Sequence, residues 1–191
     1  LLSRVSCPAA PGLRGHLGAH DPSTIIKCKD RYYLFATGVG ISSRWSTNKV
    51  FWSPGPNVFT NAPAWTTNAV PGFDGNIWAP DIFLLNGRYC LYYAISSWGS
   101  QVSAIGLATN PTLDPTDAAY QWTDQGIVIQ STNGSPYNTI DPSVMLDAAG
   151  NPWMSFGSYW NGIYIVQLDP LTGLRSAPGS VTRAAWNSSI E

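Results

Sequence analysis

The sequence predicts an all-β fold, a β-propeller. Three observations carry this. An aspartate returns at a sixty-residue spacing, as Asp21, Asp81 and Asp141, and an aromatic run of strand type follows each, over residues 32–36, 89–94 and 153–157. No stretch keeps a helical period over eleven residues. Gly and Pro are abundant, at 18 and 15 residues, as short strands with tight turns require. A long period built only from strand-like segments reads as small sheets repeated around an axis.

Residues 1–19 are rich in Pro and Gly and form a lead-in segment; residues 20–191 form the propeller domain. The first unit opens at His20-Asp21-Pro22-Ser23. Its hairpin runs from Thr24 to Thr37 around a turn at Lys29-Asp30-Arg31, and residues 41–50 and 50–52 add two strands. Residues 53–77 are turn-rich. The second unit opens at Ile77-Trp78-Ala79-Pro80-Asp81. Asn86-Gly87 between apolar runs is a strong hairpin signal, and residues 102–108 and 126–130 supply further strands. The third unit opens at Tyr137-Asn138-Thr139-Ile140-Asp141, turns at 147–151, returns over 153–157, and continues over 162–168 and 184–186. Three units fall short of the four to eight blades that typically close a propeller. The expectation is therefore three blades and the start of a fourth, completed by a C-terminal polypeptide.

Composition excludes several partners. Charged residues make up 11% of the chain and the net charge is −1, so there is no basic stripe for nucleic acid. No apolar run is long enough to span a membrane. Leu1 opens no signal-peptide pattern; the expectation is a secreted or periplasmic protein read without its leader. Cys7, Cys28 and Cys90 lack metal-type spacing. Cys28 and Cys90 fall in strand-like runs and read as buried thiols, with a Cys7–Cys28 disulfide as the alternative.

An acid at the start of an apolar strand is costly to bury unless it is solvated, paired or used. One such Asp reads most simply as a turn residue. Three in register would face one another across the mouth of a funnel. Paired carboxylates across a gap suit glycoside hydrolysis, where one activates water and the other protonates the leaving oxygen. Glu191, the sole glutamate, follows Ile190 as Asp141 follows Ile140. Trp78, Trp98, Tyr159, Trp160 and Asn138 could stack on and hydrogen-bond a sugar, or simply pack between blades.

At these residues the chain resembles the arabinanases of glycoside hydrolase family 43, which are five-bladed propellers. The matching motifs are His20-Asp21-Pro22, Trp78-Ala79-Pro80-Asp81, Gly99 with Ser103-Ala104-Ile105-Gly106, Asn138-Thr139-Ile140-Asp141-Pro142, Ser155-Phe156-Gly157-Ser158-Tyr159-Trp160, and Ile190-Glu191. The resemblance implies inverting hydrolysis of α-1,5-linked arabinan. Asp21 would be the general base and Glu191 the general acid, with Asp141 raising the acid's pKa and orienting it. Asp21, Gly99, Asn138, Thr139, Ile140, Asp141, Ser158, Tyr159 and Trp160 would line the substrate cleft; His20 would contact sugar or pack, and Trp78, read above as a stacking residue, is placed with the substrate-binding set. No cofactor is implied for the chemistry, and no metal ligand is assigned here. A structural calcium in the channel is allowed, its ligand histidine not being in this chain. Two other readings stand beside this one. A related propeller glycosidase would act on xylosides or arabinofuranosyl side chains, and a non-catalytic sugar-binding propeller would need no triplet of acids.

Overall fold

The computed structural model describes residues 12–176 and 181–187 of the chain. The first strands are β1 (Arg14–Gly15), β2 (Ile26–Cys28), β3 (Arg31–Ala36), β4 (Gly38–Val39), β5 (Ser42–Ser46) and β6 (Phe51–Pro54). β2, β3, β5 and β6 form an antiparallel meander, the first blade. β1 adds to its outer edge parallel to β6, so residues 14–15 of the lead-in segment belong to this blade. A single helical turn, α1 (Thr66–Ala69), lies in the turn-rich connection.

The second blade is β7 (Asn76–Leu85), β8 (Arg88–Ile95), β9 (Ser103–Asn110) and β10 (Thr123–Ser131), all antiparallel. β4 pairs with the free edge of β7 and so laces the first blade to the second. The third blade is β11 (Ser143–Leu146), β12 (Pro152–Phe156), β13 (Ile163–Gln167) and β14 (Thr182–Ala185). The β7–β8 turn has Asn86 at φ 49° and Gly87 at φ 71°. Two successive positive φ angles match the twist of the flanking strands, which is why Asn-Gly stands there.

The packing explains why β8 reads as an unbroken apolar run rather than an alternating one. Successive side chains of a strand point to opposite faces. Tyr89, Leu91, Tyr93 and Ile95 join the core against the first blade. Cys90, Tyr92 and Ala94 join the core against the third. A middle blade is buried on both faces, so no polar face is needed. Each fully buried large side chain contributes about 1.5–3 kcal/mol. Their hydroxyls are not wasted: Tyr89 donates to the Lys27 carbonyl at 3.1 Å in the first blade, and Tyr92 to that of Gly173 at 2.7 Å in the third. Gly106 on β9 has a steric cause, since a Cβ there would lie 2.6 Å from the Tyr93 ring and 2.7 Å from that of Trp65.

Cys28 and Cys90 are free and buried. Cys28 Sγ accepts the Leu113 N–H at 3.3 Å, joining the first blade to the loop after β9. Cys7 lies outside the described residues, and with it the alternative disulfide.

Candidate active site

The three blade openings align on their prolines. His20-Asp21-Pro22-Ser23, Trp78-Ala79-Pro80-Asp81 and Ile140-Asp141-Pro142-Ser143 share one conformation. The residue before each proline is left-handed, with φ of 45° at Asp21, 35° at Ala79 and 54° at Asp141. The carbonyl one step earlier is capped from the next strand in the first and third blades: Thr37 N–H donates to His20 O at 3.0 Å, and Gly157 N–H to Ile140 O at 2.8 Å. This corrects the triplet read from the sequence. Asp21 and Asp141 are equivalent, but Asp81 stands two residues later, level with Ser23 and Ser143. The even spacing of the three acids arises because the blades differ in loop length.

A left-handed conformation costs an ordinary residue about 1–2 kcal/mol, and a following proline narrows the choice further. The surrounding bonds must hold these openings in place, and such strain gathers where side chains are aimed for use. Here it turns Asp21 and Asp141 into one cavity of about 370 Å³, ringed by the three openings, whose lining includes Asp21, Ala79, Asp81 and Asp141.

Asp21 and Asp141 are both exposed at the cavity. Its Oδ2 accepts from Thr37 Oγ1 at 2.9 Å and faces His20 Nδ1 at 2.7 Å. Both partners meet the same oxygen, and among the described residues no hydrogen bond to Oδ1 is seen. Thr37 is itself held, its Oγ1 accepting the Ala79 N–H at 2.8 Å. Among the described residues Asp141 has no such donors. Loss of hydration, and then the negative charge of Asp21, raise its pKa above the usual aspartate value. Two equivalent acids thus sit in unlike surroundings, the arrangement that separates base from acid-side roles.

Asp81 has a different task. It is 6% exposed, with Oδ1 accepting the Thr24 N–H at 3.0 Å and Oδ2 the Val144 N–H at 3.1 Å. Its carboxylate bridges the inner strands of the first and third blades.

Beside the acids opens a larger cleft of about 790 Å³, lined among others by Trp78, Trp98, Gly99, Asn138, Tyr159 and Trp160. The two cavities adjoin through consecutive residues, since Trp78 and Ile140 line the cleft and Ala79 and Asp141 the acid cavity. Trp98 is 89% exposed, and its ring centroid lies 5.2 Å from that of Trp78. Exposed aromatic faces beside amides and hydroxyls suit a sugar chain, whose rings offer apolar faces and hydroxyl edges.

Three residues expected in the cleft stand elsewhere. Thr139 is fully buried beneath it, bonded through its N–H and hydroxyl to Ser103 Oγ at 2.9 and 3.1 Å. Ser158 is not among the lining residues; its N–H donates to Asn138 Oδ1 at 3.2 Å and so orients that amide. His20 stands beside Asp21. Sequence reasoning missed Ser96, Ser97, Ser100, Gln101, Ser135 and Trp186, which also line the cleft. Buried Gln101 ties it together, donating to the Ser135 carbonyl and accepting the Gly134 N–H. Glu191 lies outside the described residues. For the calcium allowed by the resemblance, the described residues offer no group of three or more His, Cys, Asp or Glu side chains placed to hold a metal, and both oxygens of Asp81 are already engaged.

Residues 16–190 match the family described as Glycosyl hydrolases family 43. The chain is 41% identical over 173 residues to an extracellular endo-α-(1→5)-L-arabinanase of Bacillus subtilis, covering 86% of this chain and 52% of that protein. It is 43% identical over 155 residues to an extracellular exo-α-(1→5)-L-arabinofuranosidase of Cellvibrio japonicus, covering 80% and 44%. Among solved structures, the family 43 endo-arabinanase of Bacillus licheniformis superposes with a TM-score of 0.86 at 42% identity, over 93% of this chain and 60% of that one. The chain thus spans about half the length of the curated relatives it matches, and its three sheets are blades of the five-bladed propeller those arabinanases share. A shared fold over nearly all its length and two acids opening on one cavity agree with the matched residues: the chain belongs to glycosyl hydrolase family 43.

Proposed function

We propose that the protein hydrolyses the α-1,5 bonds between L-arabinofuranosyl units of arabinan, with inversion. The observation that carries this reading is the convergence of Asp21 and Asp141 on one cavity adjoining an aromatic cleft. The names of the relatives support the substrate. Asp21 Oδ1 takes a proton from a water in the cavity. That water attacks the anomeric carbon from the face opposite the leaving sugar. Glu191 gives its proton to the departing glycosidic oxygen, and Asp141 sets the charge around that acid. An inverting pair stands about 6.5–9.5 Å apart so that the water fits between. His20 and Thr37 steady the base, while Trp78, Trp98, Tyr159 and Trp160 hold the chain of sugars.

The extracellular location of the relatives supports secretion. Exposed Met145 and Leu146 on β11 support further polypeptide completing the ring beyond these blades. Full-length protein should release arabinose or short oligomers from linear arabinan faster than from branched arabinan, with the first-formed anomer inverted by proton NMR. Asp21→Ala should lower kcat by several orders of magnitude, with the circular dichroism spectrum unchanged. Activity within tenfold of wild type would remove Asp21 as the base, and side-chain release without backbone cleavage would favour the arabinofuranosidase reading.

A further inference from the structure

Asp81 shares the blade opening with two serines, yet its bonds differ in kind. Ser23, its equivalent in the first blade, bonds within its own blade, accepting the Phe35 N–H at 3.0 Å and donating to the Thr24 carbonyl at 2.8 Å. Asp81 reaches both neighbours instead. Its two oxygens take the N–H groups of Thr24 and Val144. Each of those amides lies three residues after an acid of the site, Thr24 after Asp21 and Val144 after Asp141, with a proline between. The links from acid to amide are short and proline-stiffened, so the two bonds to one carboxylate set how far apart the Asp21 and Asp141 backbones stand. A hydrogen bond to a charged acceptor is about twice as strong as a neutral one, and buried as it is, this one is poorly screened.

We propose that Asp81 is a positioning residue for the hydrolysis, fixing the gap between Asp21 and Asp141 by tying the inner strands of the first and third blades to the blade between them. The proposal rests on the arabinan reading only where it is tested by kinetics. Its geometric content stands on the bridge alone. The charged or titratable groups near Asp141 among the described residues are Asp21, with His20 beside it, and Asp81, which lines the same cavity; the two carboxylates enter the test.

Asp81→Asn keeps the shape but sets an amide donor against a backbone donor, breaking one arm of the bridge. Asp81→Glu keeps the charge and changes the reach by one methylene. In the full-length enzyme each should lower kcat on linear arabinan about 10- to 100-fold, the scale of a misplacement near 1 Å, with KM within about threefold of wild type. The acid-limb midpoint of the pH–rate profile should move in both variants. A wild-type-like Asp81→Glu variant would show that only charge matters and would overturn the proposal. So would a variant of lower Tm whose kcat and pH profile, measured well below that Tm, match wild type. Should the wild type show no turnover on arabinan, the function reading fails while this one is still decided, by NMR. Carbon-13 titration of the Asp21 and Asp141 carboxyls should give a weaker mutual influence in both variants, and unchanged titrations would overturn it. Should neither variant fold, the unsubstituted protein decides. Its Thr24 and Val144 amide proton shifts should follow one common titration as pH is lowered, and two unrelated midpoints would overturn the bridge.

Discussion

Replacing Thr37 by Val tests whether Asp21, the proposed base, is held by its neighbour. The two side chains have nearly the same shape, so the change removes a hydroxyl and little else. That hydroxyl donates to Asp21 Oδ2 at 2.9 Å and accepts the Ala79 N–H at 2.8 Å. A hydrogen bond to a charged group contributes about 1.5–3 kcal/mol. The Asp21 side chain is 44% exposed, so water competes for it and the low end applies. About 1.4 kcal/mol is a tenfold change in rate. The expected result is therefore a kcat about tenfold below wild type at unchanged KM, because the Thr37 hydroxyl bonds Asp21, the proposed base. The Ala79 N–H loses its acceptor as well, at a cost to stability of about 1–3 kcal/mol, so rates must be taken well below the midpoint of the melt. Thr37→Ser restores the hydroxyl and should recover most of the rate. Initial rates on linear arabino-oligosaccharides decide the matter. A Val variant as fast as wild type, or a Ser variant as slow as Val, would refute the reasoning.

Asp141 carries a raised pKa, so between its unfolded and folded values the native state holds the extra proton and stability falls as pH rises. Asp141→Asn removes that penalty: it should melt higher than wild type at pH 7, by about 2–4 °C for each kcal/mol relieved, show no gain near about pH 3 where both states are protonated, and lose turnover; equal midpoints at pH 7 would contradict the assignment. Gly106→Ala forces a methyl against the Tyr93 and Trp65 rings and should destabilise by about 1–3 kcal/mol, read as a lower urea midpoint at an unchanged slope. A midpoint equal to that of wild type would show that the contact relaxes freely.

Much of the ring is legible in the sequence because strand pattern and turn chemistry agree there. Asn86-Gly87 marks its hairpin by backbone need, and the unbroken apolar run of β8 announces a strand covered on both faces. β1 and β4 escape notice because two residues carry no period, and α1 because a single turn has none either. The site is legible only as far as its prolines. Counting from the aspartates places Asp81 beside Asp21 and Asp141; counting from Pro22, Pro80 and Pro142 puts Ala79 there and moves Asp81 two steps along. The second count is the physical one, since a left-handed residue ahead of proline fixes where each chain turns into its blade, whereas the acid is a side chain that any position can carry. What no count supplies is Thr37 or Gln101. Their partners lie in other segments, Asp21 and Ala79 for one and Gly134 and Ser135 for the other, and nothing in either residue type marks it out. The openings therefore divide the work by position rather than by residue type. The place before the proline, held left-handed, aims an acid into the cavity in two blades; the place after it carries Ser23, bonded within its own blade, in the first, and in the second Asp81, whose two oxygens accept from the blades on either side.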